Sequence, residues 1–479
     1  MPAGNVTLAI KDGGLGIIPA ASSNIHVVMG TSSAGTVNTL YSFGSIDDIQ
    51  TTLTSGPLAE ALAYELSISG GTIYGMPVNA SVPGTSGAVT PTRVGASNGT
   101  VTVSVATAND AYSVIAKVVS AGVGQLVTGA LVAVQISLDG GLTYGQSTLV
   151  PVGGTFVITG TGLTVAFSVA ASTFDFGDQF SFTCTAPFYS STDLNAAFAA
   201  LFALPQTWGF IHVVGYPTAG ASLANATAGA TLASTVSTQL ATGVANFRYG
   251  RCIMEAPASL DADLTTAYAS FADGRVMVVA GTDPLNSPMT GRKLTRSHAW
   301  ATSARLGAIR VSRSPGAVAD GPLLGVVSLN RDERKTPGLY DQRFSVATTY
   351  IGINGFYSDF GKTMAAAGSD FTNIMNGRVL DQACVITRAA LLLYLNSSVR
   401  VNAGGTILEQ DARGIENFVT QQIRGAMSPD ISDVSVSVNR TDNILSTQLL
   451  RVKTRVTPLG YAASISEDIG FQNPSLVLS

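Results

Sequence analysis

Residues Ile25-His26-Val27-Val28-Met29-Gly30 form a short, almost unbroken apolar run, and the stretches that follow it decide the fold. Such a run reads as a strand buried on both faces. Behind it, residues 45–53 read as a short helix capped by Ser45, with Asp47 and Asp48 in its first turn. Residues 57–67 place Leu58, Leu62 and Leu66 at i, i+4 and i+8, the spacing of a second helix. Gly70-Gly71-Thr72-Ile73-Tyr74 then opens another strand. The same alternation returns further along. It gives a helix over 194–204, a strand over 210–214, a long Ala/Thr helix over 221–246, and strands at 252–255 and 275–279. Strands alternating with helices predict a mainly parallel sheet in a layered α/β body.

Between these two halves the composition changes. Residues 80–187 are rich in Thr, Val, Ser and Gly and lack a helical period. Val101, Val103 and Val105 alternate, as do Val132, Val134, Ile136 and Leu138. Asp139-Gly140-Gly141 reads as a hairpin turn, and residues 174–182 as one strand of alternating aromatics. Short strands at this spacing predict a β-sandwich-like domain inserted into a loop of the body.

From about residue 350 the pattern is α+β. Long helices are expected over 376–396 and 411–426, the second with Ile415, Phe418, Val419 and Ile423 on one face and a stop at Pro429. Strands are expected at 434–438, 448–456 and 463–471, with Pro458-Leu459-Gly460 turning between the last two. Short apolar segments lie at both ends. Val6, Leu8 and Ile10 alternate ahead of a Gly-rich break, and Leu476, Val477 and Leu478 follow Pro474. The division is therefore 1–24 arm and linker, 25–79 with 188–349 body, 80–187 insert, 350–472 C-terminal domain, and 473–479 second arm. The fold class is α/β and α+β multidomain with extended terminal arms.

Composition narrows the function. The chain of 479 residues has room for about three domains at ~150 residues each. Charged residues make up 12%, against roughly 25% in an ordinary globular domain. Hydrophobic residues reach 46%, and mean hydropathy is +0.32. A surface so short of charge is expected to be covered by copies of the same chain. No apolar run approaches the ~20 residues of a spanning helix, so membrane insertion is not expected. Met1-Pro2-Ala3-Gly4-Asn5 lacks the basic start and apolar run of a signal peptide. A net charge of −4 argues against a nucleic-acid partner. Cys184, Cys252 and Cys384 are too few and too scattered for a disulfide framework and read as free, mostly buried thiols. The alternative, an intersubunit disulfide, stays open.

The C-terminal block resembles the conserved C-terminal domain of contractile tail sheath proteins of myovirus-type bacteriophages. The likeness is carried by Gly377-Arg378-Val379-Leu380-Asp381, Ile415-Glu416-Asn417-Phe418-Val419, the stretches around Asn443-Ile444 and Leu450-Arg451-Val452-Lys453, Pro458-Leu459-Gly460, and Ile465…Ile469-Gly470-Phe471. Arg334-Lys335-Thr336-Pro337-Gly338-Leu339-Tyr340-Asp341 also looks like sheath sequence, and the insert ending Gly177-Asp178-Gln179-Phe180 resembles the variable β-rich domain of some sheath proteins. The resemblance implies a structural subunit that stacks as six-membered rings around a tail tube and contracts to drive the tube through the host envelope. It implies links made when the arms of one copy add strands to the sheet of another, which is β-augmentation. Val6, Leu8, Ile10, Leu476, Val477 and Leu478 are then the interface residues. The implied partners are further copies of the chain, the tube protein, and baseplate and terminator proteins. The implied place is the virion tail, assembled in the host cytoplasm. A pyocin-like or secretion device is a close cousin; tail-tube or capsid protein and envelope hydrolase are the alternatives from other classes.

Chemical signatures are weak. His26, His212 and His298 are far apart in sequence, and no H-E-x-x-H, C-x-x-C or P-loop occurs, so neither catalytic residues, cofactor nor metal is expected. Gly95-Ala96-Ser97-Asn98-Gly99 matches G-x-S-x-G without the strand-to-helix setting a nucleophile elbow needs. Asp261-Ala262-Asp263 reads as a helix start rather than a calcium loop. Arg331-Asp332-Glu333-Arg334-Lys335 stands out in a charge-poor chain. It is either a solvated loop or an intersubunit contact through Arg331, Glu333, Arg334 and Lys335.

Overall fold

The computed structural model describes residues 24–471, apart from 121, 219, 258 and 259. Val6, Leu8, Ile10, Leu476, Val477 and Leu478 lie outside the described residues.

The body is a six-stranded sheet. Its elements are β1 (His26–Gly30), β2 (Tyr41–Phe43), α1 (Ile46–Leu53), α2 (Pro57–Ser69) and β3 (Ile73–Pro77) before the insert. After it come α3 (Ser191–Ala203), β14 (Phe210–Val213), α4 (Ser222–Ala245), β15 (Cys252–Glu255), α5 (Asp261–Tyr268) and β16 (Val276–Val279). The order is β16-β15-β14-β1-β3-β2, parallel throughout except for β2, which closes one edge antiparallel to β3. Because side chains alternate along a strand, β1 serves two cores. Val27 and Met29 join the core under α3, α4 and α5, while Val28 joins the one under α1, α2 and α6 (Ala299–Ala308). Local chemistry sets the helix starts. The Ser45 hydroxyl accepts from Asp48 N at 3.2 Å, Pro57 occupies the first turn of α2, and Ser190 with Asp193 forms a capping box on α3.

The insert is a two-layered β unit. One sheet runs β4 (Thr90–Thr92), β13 (Gln179–Cys184), β6 (Tyr112–Val118), β8 (Ala133–Ser137), β9 (Thr148–Leu149). The other runs β10 (Thr155–Ile158), β11 (Leu163–Phe167), β5 (Val101–Ala106), and a small ladder joins β12 (Thr173–Phe174) to β7 (Gln125–Leu126). Phe167, Phe174 and Phe180 meet in the core at ring-centroid distances of 5.7 to 6.3 Å. The aromatic run expected as one strand is two. Gly177 at φ +95° and two buried carboxylates break it: Asp178 accepts from Asp175 N at 2.9 Å and from Val94 N at 2.8 Å. Asp139-Gly140-Gly141 is likewise no tight hairpin. It opens the longer loop from β8 to β9, folded around the Asp139 carboxylate, which accepts from Thr143 N at 2.8 Å and Thr143 Oγ1 at 2.6 Å.

Beyond the body come the hairpins β17 (Thr282–Asn286) with β18 (Lys293–Ser297), and β19 (Ala347–Tyr350) with β20 (Ile353–Ser358). The C-terminal core then gathers α7 (Ile374–Leu392), α8 (Glu409–Met427), β21 (Ile431–Val438), the short α9 (Ile444–Thr447) and β22 (Val452–Pro458). Two expectations fail here. Residues 448–451 are not strand, because α9 ends on Gln448 at φ +53°. Residues 463–471 form no strand and are exposed, so among the described residues the antiparallel sheet has two strands rather than three.

Candidate assembly interface

The two-stranded ladder is built on the amphipathic pattern of α8. Ala412, Ile415, Val419, Ile423 and Met427 recur at helical spacing and are buried against β21. In the ladder, Val434 pairs with Val456, Val436 with Thr454 and Val438 with Val452, all on the face toward the helices. Ser435 opposite Arg455 and Ser437 opposite Lys453 face solvent. An isolated two-stranded hairpin is marginal in water, so the helices supply its stability. Arg440 adds a clamp, donating from Nη2 to Glu416 at 2.9 Å and from Nε to Glu409 at 3.0 Å. Glu416 also accepts from Val438 N at 2.7 Å. Hydrogen bonds from Arg440 and then Arg413 hold the Glu409 carboxyl down at about 2. Among the described residues neither outer edge of the ladder has a strand partner. Such edges present rows of backbone donors and acceptors to any extended segment.

The chain leaving β22 does not return to those edges. Tyr461 is drawn onto the body, its hydroxyl donating to Ser312 O at 2.7 Å and its ring 5.6 Å from Phe360. Past it, Ile465 is 86% and Ile469 87% exposed. Ile465, Ile469 and Phe471 share the parity of one strand face, and among the described residues that face covers nothing.

The charged loop splits into two parts. Arg331 donates from Nε and Nη2 to Asp261 at 3.0 and 2.9 Å and from Nη1 to Glu333 at 2.6 Å. Asp261 lies in the first turn of α5, the helix start expected there. Glu333 also accepts from Gly338 N at 2.7 Å and Tyr340 N at 3.1 Å, and Asp332 from Thr349 Oγ1 at 2.6 Å. These three hold the loop to the body. Arg334 and Lys335, 41% and 70% exposed, are the cations turned outward.

The histidines, remote in sequence, meet in the body. Glu65 on α2 receives His26 Nε2 at 2.7 Å and His212 Nδ1 at 2.5 Å, and Ser303 Oγ donates to it at 2.5 Å. His212 faces Glu255 at 3.7 Å, and Trp300 Nε1 donates to Glu255 at 2.6 Å. Burial works to raise the Glu65 carboxyl, but His212 and His26 outweigh it and hold it at about 2. Burial opposes charge on His212 too, and the Glu65 carboxylate overcomes it, so its pKa lies above the ordinary value. Glu255, with weaker partners, is raised by burial. His298 pairs with Asp283 at 2.5 Å. Every acid named here is already engaged, and among the described residues no group of three or more His, Cys, Asp or Glu is placed to hold a metal. Sequence reading missed Glu60 and Glu65, although a signal was present: they are the acids of an otherwise apolar helix that is buried nearly all round. A second network, also missed, pins the insert to the body. Asp110 accepts from Arg292 and Arg296 at 2.6 Å each, and Arg292 lies 3.4 Å from Glu60 and over the Tyr112 ring.

The other motifs carry little. Gly95–Gly99 sits between β4 and β5 with Ser97 buried, not at a strand-to-helix turn. Cys184 and Cys252 are buried free thiols and Cys384 is half-buried; burial pushes all three pKa values up, Cys184 to about 11. Among the described residues no helix is long and apolar enough to cross a membrane.

This fold is shared with solved structures from contractile sheaths. The chain is similar in fold to the anti-feeding prophage baseplate in its contracted state, at TM-score 0.56 and 12% identity over 99% of each chain. It is similar to the anti-feeding prophage helical sheath in its contracted state, at TM-score 0.54 and 10% identity over 98% of this chain and 100% of that one. The contracted PVC sheath complex of an extracellular contractile injection system matches at TM-score 0.52 and 8% identity, over 98% and 99%. By sequence the chain belongs to the DUF2586 family. The family's N-terminal domain matches residues 3–359 and its C-terminal domain residues 370–476. No curated protein matches the sequence. The resemblance to sheath proteins and the α/β plus α+β class are borne out at the level of fold.

Proposed function

We propose that this chain is the sheath subunit of a contractile tail, a structural protein and not an enzyme. The observation that carries the reading is the open ladder of β21 and β22 in a sheath fold, together with residues 463–471, exposed and without a strand partner among the described residues. Copies stack as six-membered rings around a tail tube, and extended ends of one copy add strands to the ladder of another. The donated C-terminal segment then begins just past Tyr461, earlier than Leu476–Leu478 alone would suggest, and Val6, Leu8 and Ile10 supply the N-terminal strand. Main-chain hydrogen bonds make these links without a demanding side-chain code, so they survive while bodies rotate during contraction. A head-to-tail link of this kind propagates as an open helix. Arg334 and Lys335 are the outward charges available to exchange partners between bodies. The tube protein, baseplate and terminator are the further partners, in a virion tail assembled in the host cytoplasm.

Negative-stain microscopy tests this with the full chain beside a variant lacking residues 1–12 and 463–479. Tubes or stacked rings from the full chain, lost on trimming, are expected. A monodisperse monomer from both at high concentration would refute it.

A further inference from the structure

The insert carries six charged side chains in residues 80–187: Arg93, Asp110, Lys117, Asp139, Asp175 and Asp178. None of them is exposed. The four carboxylates are buried, tying backbone amides or the arginines of the body. Arg93 is half-buried, donating to Ser97 O at 3.1 Å and to Gly99 O at 2.5 Å, and Lys117 lies over the Tyr144 ring at 5.9 Å. The remaining surface is Thr, Ser and Gly broken by apolar side chains. The rest of the chain differs: Asp47, Asp48, Lys335, Arg413, Lys453 and Arg455 are all exposed. A soluble domain ordinarily spreads both signs of charge over its outside, so this face is built to be covered.

Its edges agree. β9 and β10 are outer strands of the two insert sheets, unpaired on one side among the described residues. Their outward side chains include Leu149, 57% exposed, and Val157, 63% exposed. Edge strands are usually blunted by shortness, lysine, a bulge or proline; β9 is short and Pro151 follows it, but neither strand carries a lysine. Both edges border a groove of about 940 Å³ whose walls include Tyr144 and Phe156; the charges that also line it, Glu60, Asp110 and Arg292, are buried and paired with one another.

We infer that this uncharged face is an interface between copies of the chain, in which the insert of one copy packs on the insert of the next through the β9 and β10 edges. The inference rests on the reading that the chain assembles with itself. A charge-free face selects a charge-free partner, because any charge brought against it is desolvated without compensation. The insert of a neighbouring copy is such a partner. The inserts then form a cohesive layer instead of separate decorations.

The test uses the full chain with two pairs of substitutions at these exposed positions, Leu149→Lys with Val157→Lys and Leu149→Glu with Val157→Glu. Circular dichroism melting first confirms that both variants fold like the parent. Each variant alone is expected to raise the critical concentration for tubes at least tenfold, and an equimolar mixture of the two is expected to restore it. A lipid or glycan occupant would leave assembly of every variant at the parent concentration, which would overturn the inference while sparing the sheath reading. A mixture no better than its components would overturn it too. A parent chain that stays monomeric would overturn both readings.

Discussion

Removing Asp110 should loosen the insert from the body. Its buried carboxylate neutralises two guanidiniums, Arg292 at 2.6 Å and Arg296 at 2.6 Å, both largely buried. Taking away one partner of a buried ion pair costs about 3–5 kcal/mol, because the other charge is stranded. Arg292 keeps Glu60 at 3.4 Å and Arg296 keeps the face of Trp300 at 5.5 Å, which places Asp110→Ala near the low end, about 3 kcal/mol. Urea unfolding followed by tryptophan fluorescence reads this directly, since Trp300 lies under Arg296. A double-mutant cycle with Arg296→Met should return a coupling of at least about 1 kcal/mol. A loss below about 1 kcal/mol for Asp110→Ala would put the network in the range of exposed pairs and refute its role as a latch.

Further outcomes follow from the same geometry. Stability should peak at mildly acidic pH. The depressed Glu65 contributes above its ordinary 4.5 and loses its contribution as pH falls toward about 2. The raised His212 contributes fully below its ordinary 6.5 and less as pH rises through its folded value, and the raised Glu255 acts in that same direction from 4.5 upward. Melting temperature across pH 3 to 9 should show the peak, and Glu65→Gln should flatten it. Lys335→Glu should leave the melting temperature unchanged and alter tube assembly, whereas Glu333→Lys should lower the melting temperature, because Glu333 accepts from Gly338 N and Tyr340 N within the chain. Ile423→Ala, at a fully buried position under the ladder, should cost about 2–5 kcal/mol in chemical denaturation.

Much of this fold is legible in sequence because local and global signals agree. The run at 25–30, the Ser45 cap and the i, i+4, i+8 leucines of α2 each point to the element that forms. The failures have a common cause in turn chemistry and partners. Asp178 and Gly177 interrupt a perfect alternation, since a side-chain carboxylate can hold a turn as firmly as a ladder holds a strand. Residues 463–471 have strand periodicity, yet periodicity reports which face is to be buried and not whose chain buries it. The Asp110 and Glu65 networks were invisible because each joins residues far apart in sequence. Only the oddity of Glu60 and Glu65 in an apolar helix pointed to them.

The doubly wound topology raises the question of a ligand, because such sheets bind small molecules outside the carboxyl ends of their strands where the order reverses. In this chain the reversal falls at β1, with β3 on one side and β14 on the other. That crevice is filled by the chain itself. Thr31 Oγ1 donates to Pro187 O at 3.0 Å, the Tyr189 hydroxyl donates to Val214 O at 3.1 Å, and Phe188 lies against Gly215. A Cβ on Gly30 would stand 3.2 Å from the Val214 Cβ, so the two strands meet without room between them. Val82 and Phe188, which pair across the two crossings into the insert, rise from the same place. The position that an enzyme of this topology reserves for substrate is used here as the root of a second domain. Together with the ion pairs of Asp110 to Arg292 and Arg296, that root ties the insert to the sheet at two places.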